Sequence, residues 1–450
     1  MQVRIVPIVG ALLVALLVLS ACNSTAPTPS ATTGPAAVPT ATETPDATAV
    51  VDAPPTATPA PAATATPVPT TPQGQVEALL YESLGVTKPA TDSIGLEGAY
   101  AFQLETDNDQ ELWLAHTLGI RNFDPLQNHV LAIYEKDDNG WNEVTRIELA
   151  MRDNPEEPGV SPDYLGEGGV TQIQIEPSHI WIQVEGGAGA HSGVYGLFSF
   201  DGTAFKEEVS SFNSSPGIGR TEDLNNDGIA EVLLDASDPY VFCYACGVRL
   251  VNWAIERWDG TQMISVTLAA LSDSAPTEVS TFNQNLLDLA NAGLWKDVLA
   301  TLDEAGTFSY TEPALEWNLI YARVNGEARR DAAANQPAYP LLTHLFYGDY
   351  DAVLEILQGV GAEGLFSPQS SLIIGTPAEG WEPTLADWIV NTVDPALALK
   401  PDLATAYFLR GWSAYIREYN AAAALADVQK AAELAPDEAL FSQSVELLSK

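Results

Sequence analysis

One stretch of the sequence has the residue types and spacing of an ion-binding loop. Acidic or amide side chains stand at alternate positions of Asp223-Leu-Asn225-Asn-Asp227, and a glycine and then a further acid follow. Hard oxygen ligands at this spacing can turn toward one centre, while glycine permits a sharp turn. The alternative is an Asx-rich turn that holds no ion. The pattern predicts Ca²⁺ bound by these residues, one of them through its backbone carbonyl: Asp223, Asn225, Asp227, Ile229 (carbonyl) and Glu231.

The loop departs from an EF-hand in one decisive position. Leu234 stands where an EF-hand has its bidentate acid, and Val232-Leu-Leu234 is typical of a strand rather than of a helix. The pattern Asp-x-Asn-x-Asp-Gly-x-x-Glu resembles the calcium loops of FG-GAP (integrin-α-like) repeats. That resemblance implies a loop between two strands of a propeller-like blade.

A weaker copy of the pattern lies earlier in the chain. Glu105, Asp107 and Glu111 keep acids in place, but Gln103 replaces the first acid and Asn108 replaces the glycine. We expect calcium to matter less at this second loop, because two of the features that favour the ion are missing.

Residues 75–275 are predicted to form an all-β repeat domain after a short helix near its start. Apolar and polar residues alternate in segments such as Ile180-Trp-Ile-Gln-Val184. Three hairpin-turn pairs, Asn139-Gly140, Asp201-Gly202 and Asp259-Gly260, follow aromatic-containing strands, and their glycines lie 62 and 58 residues apart. This spacing predicts three antiparallel, propeller-blade-like units.

The N-terminal residues indicate where the protein resides. Arg4 precedes an apolar run from Ile8 to Leu19, which is too short for a membrane span but suits a signal peptide. Leu19-Ser20-Ala21-Cys22 resembles the lipobox of bacterial lipoproteins. The resemblance implies a signal peptide at residues 1–22, lipidation of Cys22, and attachment to the cell envelope, facing outward or toward the periplasm. The alternative is a secreted protein with an incidental cysteine.

Composition separates a tether from the folded part. Residues 23–73 are almost all Ala, Thr, Pro, Ser and Val, which predicts a disordered linker. The whole chain of 450 residues has a formal net charge of -41. Such a charge repels nucleic acid and attracts cations, so we expect no nucleic-acid partner.

Two cysteines remain beyond Cys22, in the sequence Cys243-Tyr-Ala-Cys246. In an exported protein we expect a disulfide between Cys243 and Cys246. A redox motif would require a helix directly after the pair, whereas strand-like residues flank it here. A zinc site would require two further ligands that the sequence does not indicate.

Residues 276–450 are predicted to be all α-helical. Leucine pairs, a glycine and an aromatic residue recur at the same offsets, so that Gly293 and Trp295 correspond to Gly348 and Tyr350, 55 residues later. Residues 402–436 resemble a tetratricopeptide repeat. The resemblance implies helical hairpins that bind a peptide or protein partner.

The sequence contains no nucleophile-base set that would indicate an enzyme. His191 and Ser192 are adjacent, and adjacent residues in an extended chain point apart. We therefore expect a non-catalytic interaction or scaffold lipoprotein, anchored in the membrane by its lipid. The alternatives are a calcium-dependent carbohydrate-binding module and an extracellular hydrolase.

Changing Cys22 to alanine should leave the protein unlipidated and released from the envelope, because acyl chains would supply the anchorage. Metabolic labelling with a radioactive fatty acid, followed by fractionation, measures this directly. Label retained on the Cys22→Ala protein would contradict the lipoprotein assignment.

Overall fold

A computed structural model describes residues 69–85, 96–107, 110–121, 128–152, 159–215, 217–237, 240–306, 308–335 and 338–450. All of them belong to one compact unit, Thr66–Lys450. The predicted signal peptide, Cys22 and most of the predicted linker lie outside the described residues. Among the residues described, no helix is long and apolar enough to cross a membrane.

The predicted order of a β-rich region followed by a helical region is confirmed. The strands are β1 Leu96–Gln103, β2 Leu112–Ile120, β3 His129–Asp137, β4 Gly140–Leu149, β5 Tyr164–Leu165, β6 Val170–Ile173, β7 Ile180–Ala188, β8 Ser192–Phe200, β9 Phe205–Asn213, β10 Gly219–Glu222, β11 Glu231–Asp235, β12 Trp253–Trp258 and β13 Met263–Ser265. The helices are α1 Pro72–Ser83, α2 Thr277–Asn291, α3 Trp295–Glu304, α4 Pro313–Asn335, α5 Pro340–Tyr347, α6 Tyr350–Leu365, α7 Glu382–Leu399, α8 Ala404–Glu418, α9 Ala421–Leu434 and α10 Ala439–Leu448.

Helix α1 takes the last two residues of the predicted linker. Pro72 stands in its first turn, where a missing N–H costs nothing, and the Thr71 hydroxyl accepts a hydrogen bond from Gly74 N at 3.2 Å. The helix therefore begins before Gln75, where the predicted β domain starts.

The strands form three four-stranded antiparallel meanders, each with its strands in chain order. The first meander is β1–β4, the second is β6–β9 and the third is β10–β13. The short strand β5 pairs with both β2 and β7, so the first two meanders join into one curled nine-stranded sheet.

The last hairpin of each meander turns at one of the three predicted turn pairs, which confirms those turns. In each turn one aspartate oxygen accepts two backbone N–H groups. At Asp201 and Asp259 the hydroxyls of Thr203 and Thr261 also donate, and this is the largest effect on those two carboxylates. Together the hydrogen bonds lower the pKa of each aspartate, that of Asp201 to about 2, because they favour the charged carboxylate. Asp137, Asp201 and Asp259 thus set where their strands reverse.

Hydrophobic layers separate the meanders. Leu114 and Ile133 of the first meander share a buried cluster with Ile182 and Phe198 of the second. Trp181 and Tyr195 on the opposite face of the second meander pack with Val232 and Leu234 of the third. Each cluster lies between two meanders, so the meanders stack as successive layers although the first two belong to one curled sheet.

Helices cover the two outer faces of this stack. Val76 and Leu80 of α1 pack on Ala115 and Ala132 of the first meander. On the other side, Ile255 of the third meander packs against Trp317 of α4. In the part of the chain that the structure describes, the three meanders therefore stand in a row between helices.

The helical region is built from antiparallel neighbours with tight turns. Gly293 and Gly348 have φ of 71° and 77°, and the buried aromatics Trp295 and Tyr350 open the helices that follow. Between α8 and α9 the backbones approach closely at Gly411, where a Cβ would lie 2.8 Å from Val428 Cγ2. Both features require glycine, either for its backbone conformation or for its small size.

The β-rich and helical regions share their core. Val241, Phe242 and Val248 precede the predicted boundary at residues 275 and 276, yet they belong to the large cluster of helical side chains. Buried Asn318 of α4 donates to the Ala269 carbonyl at 2.6 Å and accepts from Ala269 N at 2.9 Å. Cutting the chain at residue 275 would expose this surface and break these hydrogen bonds.

Acidification should destabilise the first meander. His116 and His129 are fully buried, and burial lowers the pKa of each from 6.5 to about 4. Below pH 6.5 the two rings take up protons in the unfolded chain but not in the folded chain until about pH 4, so their contribution to stability falls across that window. One histidine with its full pKa shift accounts for a loss of about 3 kcal/mol in the free energy of unfolding, and the coupled pair accounts for less than twice that.

Urea unfolding at pH 7, 5.5 and 4.5 measures this loss. The variant His129→Asn should show a shallower fall in unfolding free energy than the wild type. His191→Asn, at an exposed site, is the control and should keep the wild-type slope. An unchanged slope in His129→Asn would contradict the assignment to these rings.

Candidate functional site

The predicted calcium loop connects β10 to β11, the first two strands of the third meander. Its backbone is tied to the second meander, since Ala230 N donates to the Ile175 carbonyl at 3.0 Å. On the opposite side, Leu224 packs against the cluster that contains Ile255 and Trp317. The loop is therefore held from both neighbouring layers.

The polar side chains of the loop turn inward onto its own backbone. Asp223 accepts from Asp227 N at 3.2 Å and from Gly228 N at 3.0 Å. Asn225 Oδ1 also accepts from Asp227 N, at 3.1 Å, and its amide donates to Asp227 Oδ2 at 2.9 Å. The other Asp227 oxygen accepts from Ile229 N at 2.8 Å. Three of the predicted ligands thus lie around one small turn.

Two residues with positive φ make this turn possible. Gly228 has φ 87°, as its place in the pattern predicts. Asn226 has φ 62°, which sequence reasoning missed, although asparagine is among the few non-glycine residues that adopt this conformation readily.

Glu231 is the buried member of the set. It is 2 % exposed, and its carboxylate accepts from Leu224 N at 2.9 Å, which links the end of the loop to its beginning. Burial raises the pKa of Glu231 to about 7, and the charges of Asp227 and Asp223 add to this rise. A cation in the loop would lower the pKa of Glu231, because it favours the charged carboxylate.

The donor set fits calcium by its chemistry, because every predicted ligand is a hard oxygen and each hydrogen-bonded oxygen keeps a further lone pair. Among the described residues, no three His, Cys, Asp or Glu side chains group closely enough to hold a metal ion. Binding by this set would therefore depend on Asn225 and the Ile229 carbonyl as well as on the acids.

The weaker copy occupies the equivalent loop of the first meander, between β1 and β2. Glu105 and Glu111 of this loop are paired with other groups of the protein. The Gln172 side-chain amide donates to the Glu105 carbonyl at 2.9 Å and accepts from Glu105 N at 2.7 Å, and Lys136 lies 3.4 Å from Glu111. Asn108 falls outside the described residues.

The equivalent loop of the second meander contains an acid–histidine pair that sequence reasoning missed. Glu176 is buried and accepts from His179 Nδ1 at 2.6 Å and from Trp181 Nε1 at 3.2 Å. Burial favours a raised pKa for Glu176, but hydrogen bonds from Ser178, His179 and Trp181 outweigh it and lower the pKa. The Glu-Pro-Ser-His spacing between two strands was the available signal.

This pair is not arranged for nucleophilic catalysis. Ser178 Oγ lies 3.0 Å from His179 Nδ1, the same nitrogen that contacts Glu176. A catalytic triad needs the nucleophile on the other ring nitrogen, Nε2. The His179 ring instead packs edge-on to Trp181 and Trp258, so the cluster closes the loop against the third meander.

Cys243 and Cys246 form a disulfide that closes a short 3₁₀ turn. The expectation of strands around the pair was wrong, because the described residues there make turns that dock Phe242 and Val248 into the helical core. No helix follows Cys246; Gly247 instead adopts a left-handed conformation. Exposed Tyr244 stacks on His191 with ring centroids 4.2 Å apart.

No known family model matches the chain, and neither a curated protein nor a solved structure matches it. The functional assignment therefore depends on the residues and contacts described above.

Removing calcium should lower the thermal stability of the whole folded unit. Calcium that binds only the native state stabilises it by roughly 2.7 kcal/mol at a hundredfold excess over the dissociation constant. The Asp227→Ala variant should lose the response, whereas Asp107→Ala should keep most of it. Melting of residues 69–450 with calcium and with chelator tests this, and equal midpoints with no bound metal would leave the loop as a plain turn.

Cys243 and Cys246 should be oxidised to each other in the mature protein, because an exported protein meets an oxidising compartment. Mass spectrometry of non-reduced peptides decides the point. Two alkylatable thiols, or a metal retained by them, would contradict the pairing.

Proposed function

We propose that the protein is a non-catalytic binding module, held at the bacterial cell envelope by lipid on Cys22. Its calcium-assisted β region would act as a rigid base. Its helical region would hold a protein or peptide partner.

A pair of exposed aromatic side chains is the observation that carries this proposal. Trp381 at the start of α7 is 43 % exposed and Tyr419 at the end of α8 is 38 % exposed. They lie at one place on the surface, since the Tyr419 hydroxyl donates to Glu382 at 3.3 Å. Trp and Tyr dominate the residues that contribute most to protein interfaces.

Backbone strain at Tyr419 supports a functional role for that side chain. Tyr419 has φ 52° and ψ 39°, a conformation that glycine would adopt without cost. Among the described residues, only Tyr419 and Asn226 combine a side chain with positive φ. Asn226 lies in the proposed calcium loop and Tyr419 at the proposed partner surface. Residues with strained backbone cluster at binding and catalytic sites.

The finer fold assignments belong to the same proposal. Three four-stranded meanders, with the predicted calcium loop between the first two strands of one of them, support kinship with FG-GAP blades. The α8–α9 hairpin with Gly411 at its closest approach supports kinship with tetratricopeptide repeats.

Affinity capture from solubilised envelope tests the function. Trp381→Ala and Tyr419→Gly should each lose the proteins that the wild type retains. The second change removes the positive-φ strain but also the ring that packs edge-on to Tyr415, so a thermal melt of each variant checks that it is folded. Phe212→Ala, which removes a 60 % exposed aromatic from β9, is the matched control and should capture the wild-type set. The same proteins captured by all four would overturn the proposal.

A further inference from the structure

A cleft of about 720 Å³ lies between the β10–β11 loop and the first turns of α4. Leu224 and Asn225 line it from the loop. Residues of α3, of the segment after it and of α4 line the other side, and most of these are apolar: Leu302, Phe308, Leu319 and Ile320. Its volume is in the range of pockets that hold small organic molecules, about 300–1,000 Å³.

The charged side chains that line the cleft are two glutamates and one arginine, so the lining has a net negative charge. The cation Arg323 is already engaged, because its guanidinium donates to Asp303 at 2.7 Å. Glu312 is also engaged, since it accepts from the Tyr310 hydroxyl at 2.6 Å and from Ser272 N at 3.0 Å. Glu316 differs, because its exposed side chain has no hydrogen-bond or ion-pair partner among the described residues.

We propose that this cleft binds an amphiphilic organic cation, with an apolar body against Leu302, Leu319 and Ile320 and an ammonium or guanidinium group at Glu316. The apolar wall provides the burial, and the free carboxylate provides the charge complement. Phe308 and Tyr310 line the same space and add aromatic surface that attracts a cation. An anionic head would meet Glu312 and Glu316 while the one cation on the lining is already paired.

Three amphiphiles with the same eight-carbon chain separate the possibilities. Octyltrimethylammonium, octyl sulfate and octyl glucoside are titrated calorimetrically into the folded chain, below their micellar concentrations. The ammonium compound should bind at one site and at least tenfold more tightly than the other two. Equal or tighter binding of the sulfate would overturn the proposal, and preferential binding of the glucoside would assign the cleft to carbohydrate instead.

Variants distinguish the cleft from a general attraction to an acidic surface. Glu316→Gln should weaken binding of the ammonium compound by roughly tenfold, the effect of losing one charge-assisted contact. Glu355→Gln removes one exposed carboxylate of α6, outside the cleft lining, and should leave binding unchanged. Ala305→Phe should abolish binding by filling the cleft from its edge. Equal affinity in Glu316→Gln and Glu355→Gln, or full affinity in Ala305→Phe, would overturn the site.

Discussion

The structure depends on sheets that are apolar on both faces. Along β2, Leu112 and Leu114 face the second meander, whereas Trp113 and Ala115 face α1. A sheet of this kind cannot leave either face in water, so each meander must be covered twice. In the row of α1, three meanders and α4, each meander is covered on both faces. Helices rather than a further sheet cover the two outer faces of the row.

This layering determines where the loops lie. The loops that join the first and second strands of the three meanders are stabilised in different ways: by a glutamine amide at Glu105, by His179 at Glu176, and by backbone N–H groups in the turn at Asp223. Histidine supplies a donor that can also carry positive charge, and Lys136 lies near the acids of the first loop. The third loop has no such side chain in the hydrogen bonds described, although the charge of Arg257 partly offsets that of its acids at Glu231. This contrast supports the proposal of an ion there.

The same layering joins the β-rich region to the helices. Phe242 and Val248 are buried among helical side chains, and Asn318 satisfies both polar groups of Ala269. Because these contacts cross the change from strands to helices, a ligand in the cleft between the β10–β11 loop and α4 would contact both regions. Binding there and calcium in the loop would stabilise the same junction.

The sequence by itself determined what depends on neighbouring residues. Asp201-Gly202 and Asp259-Gly260 predicted their hairpins because the aspartate caps its own turn, and Gly348 with Tyr350 predicted a helical turn and its buried aromatic. Tertiary structure decided what depends on distant residues. Sequence reasoning missed the packing of the His179 ring on Trp258 and the helical docking of Phe242, since the first joins two different meanders and the second needs a core built more than 40 residues later. Periodicity reports that a face is apolar, but not which distant face will cover it.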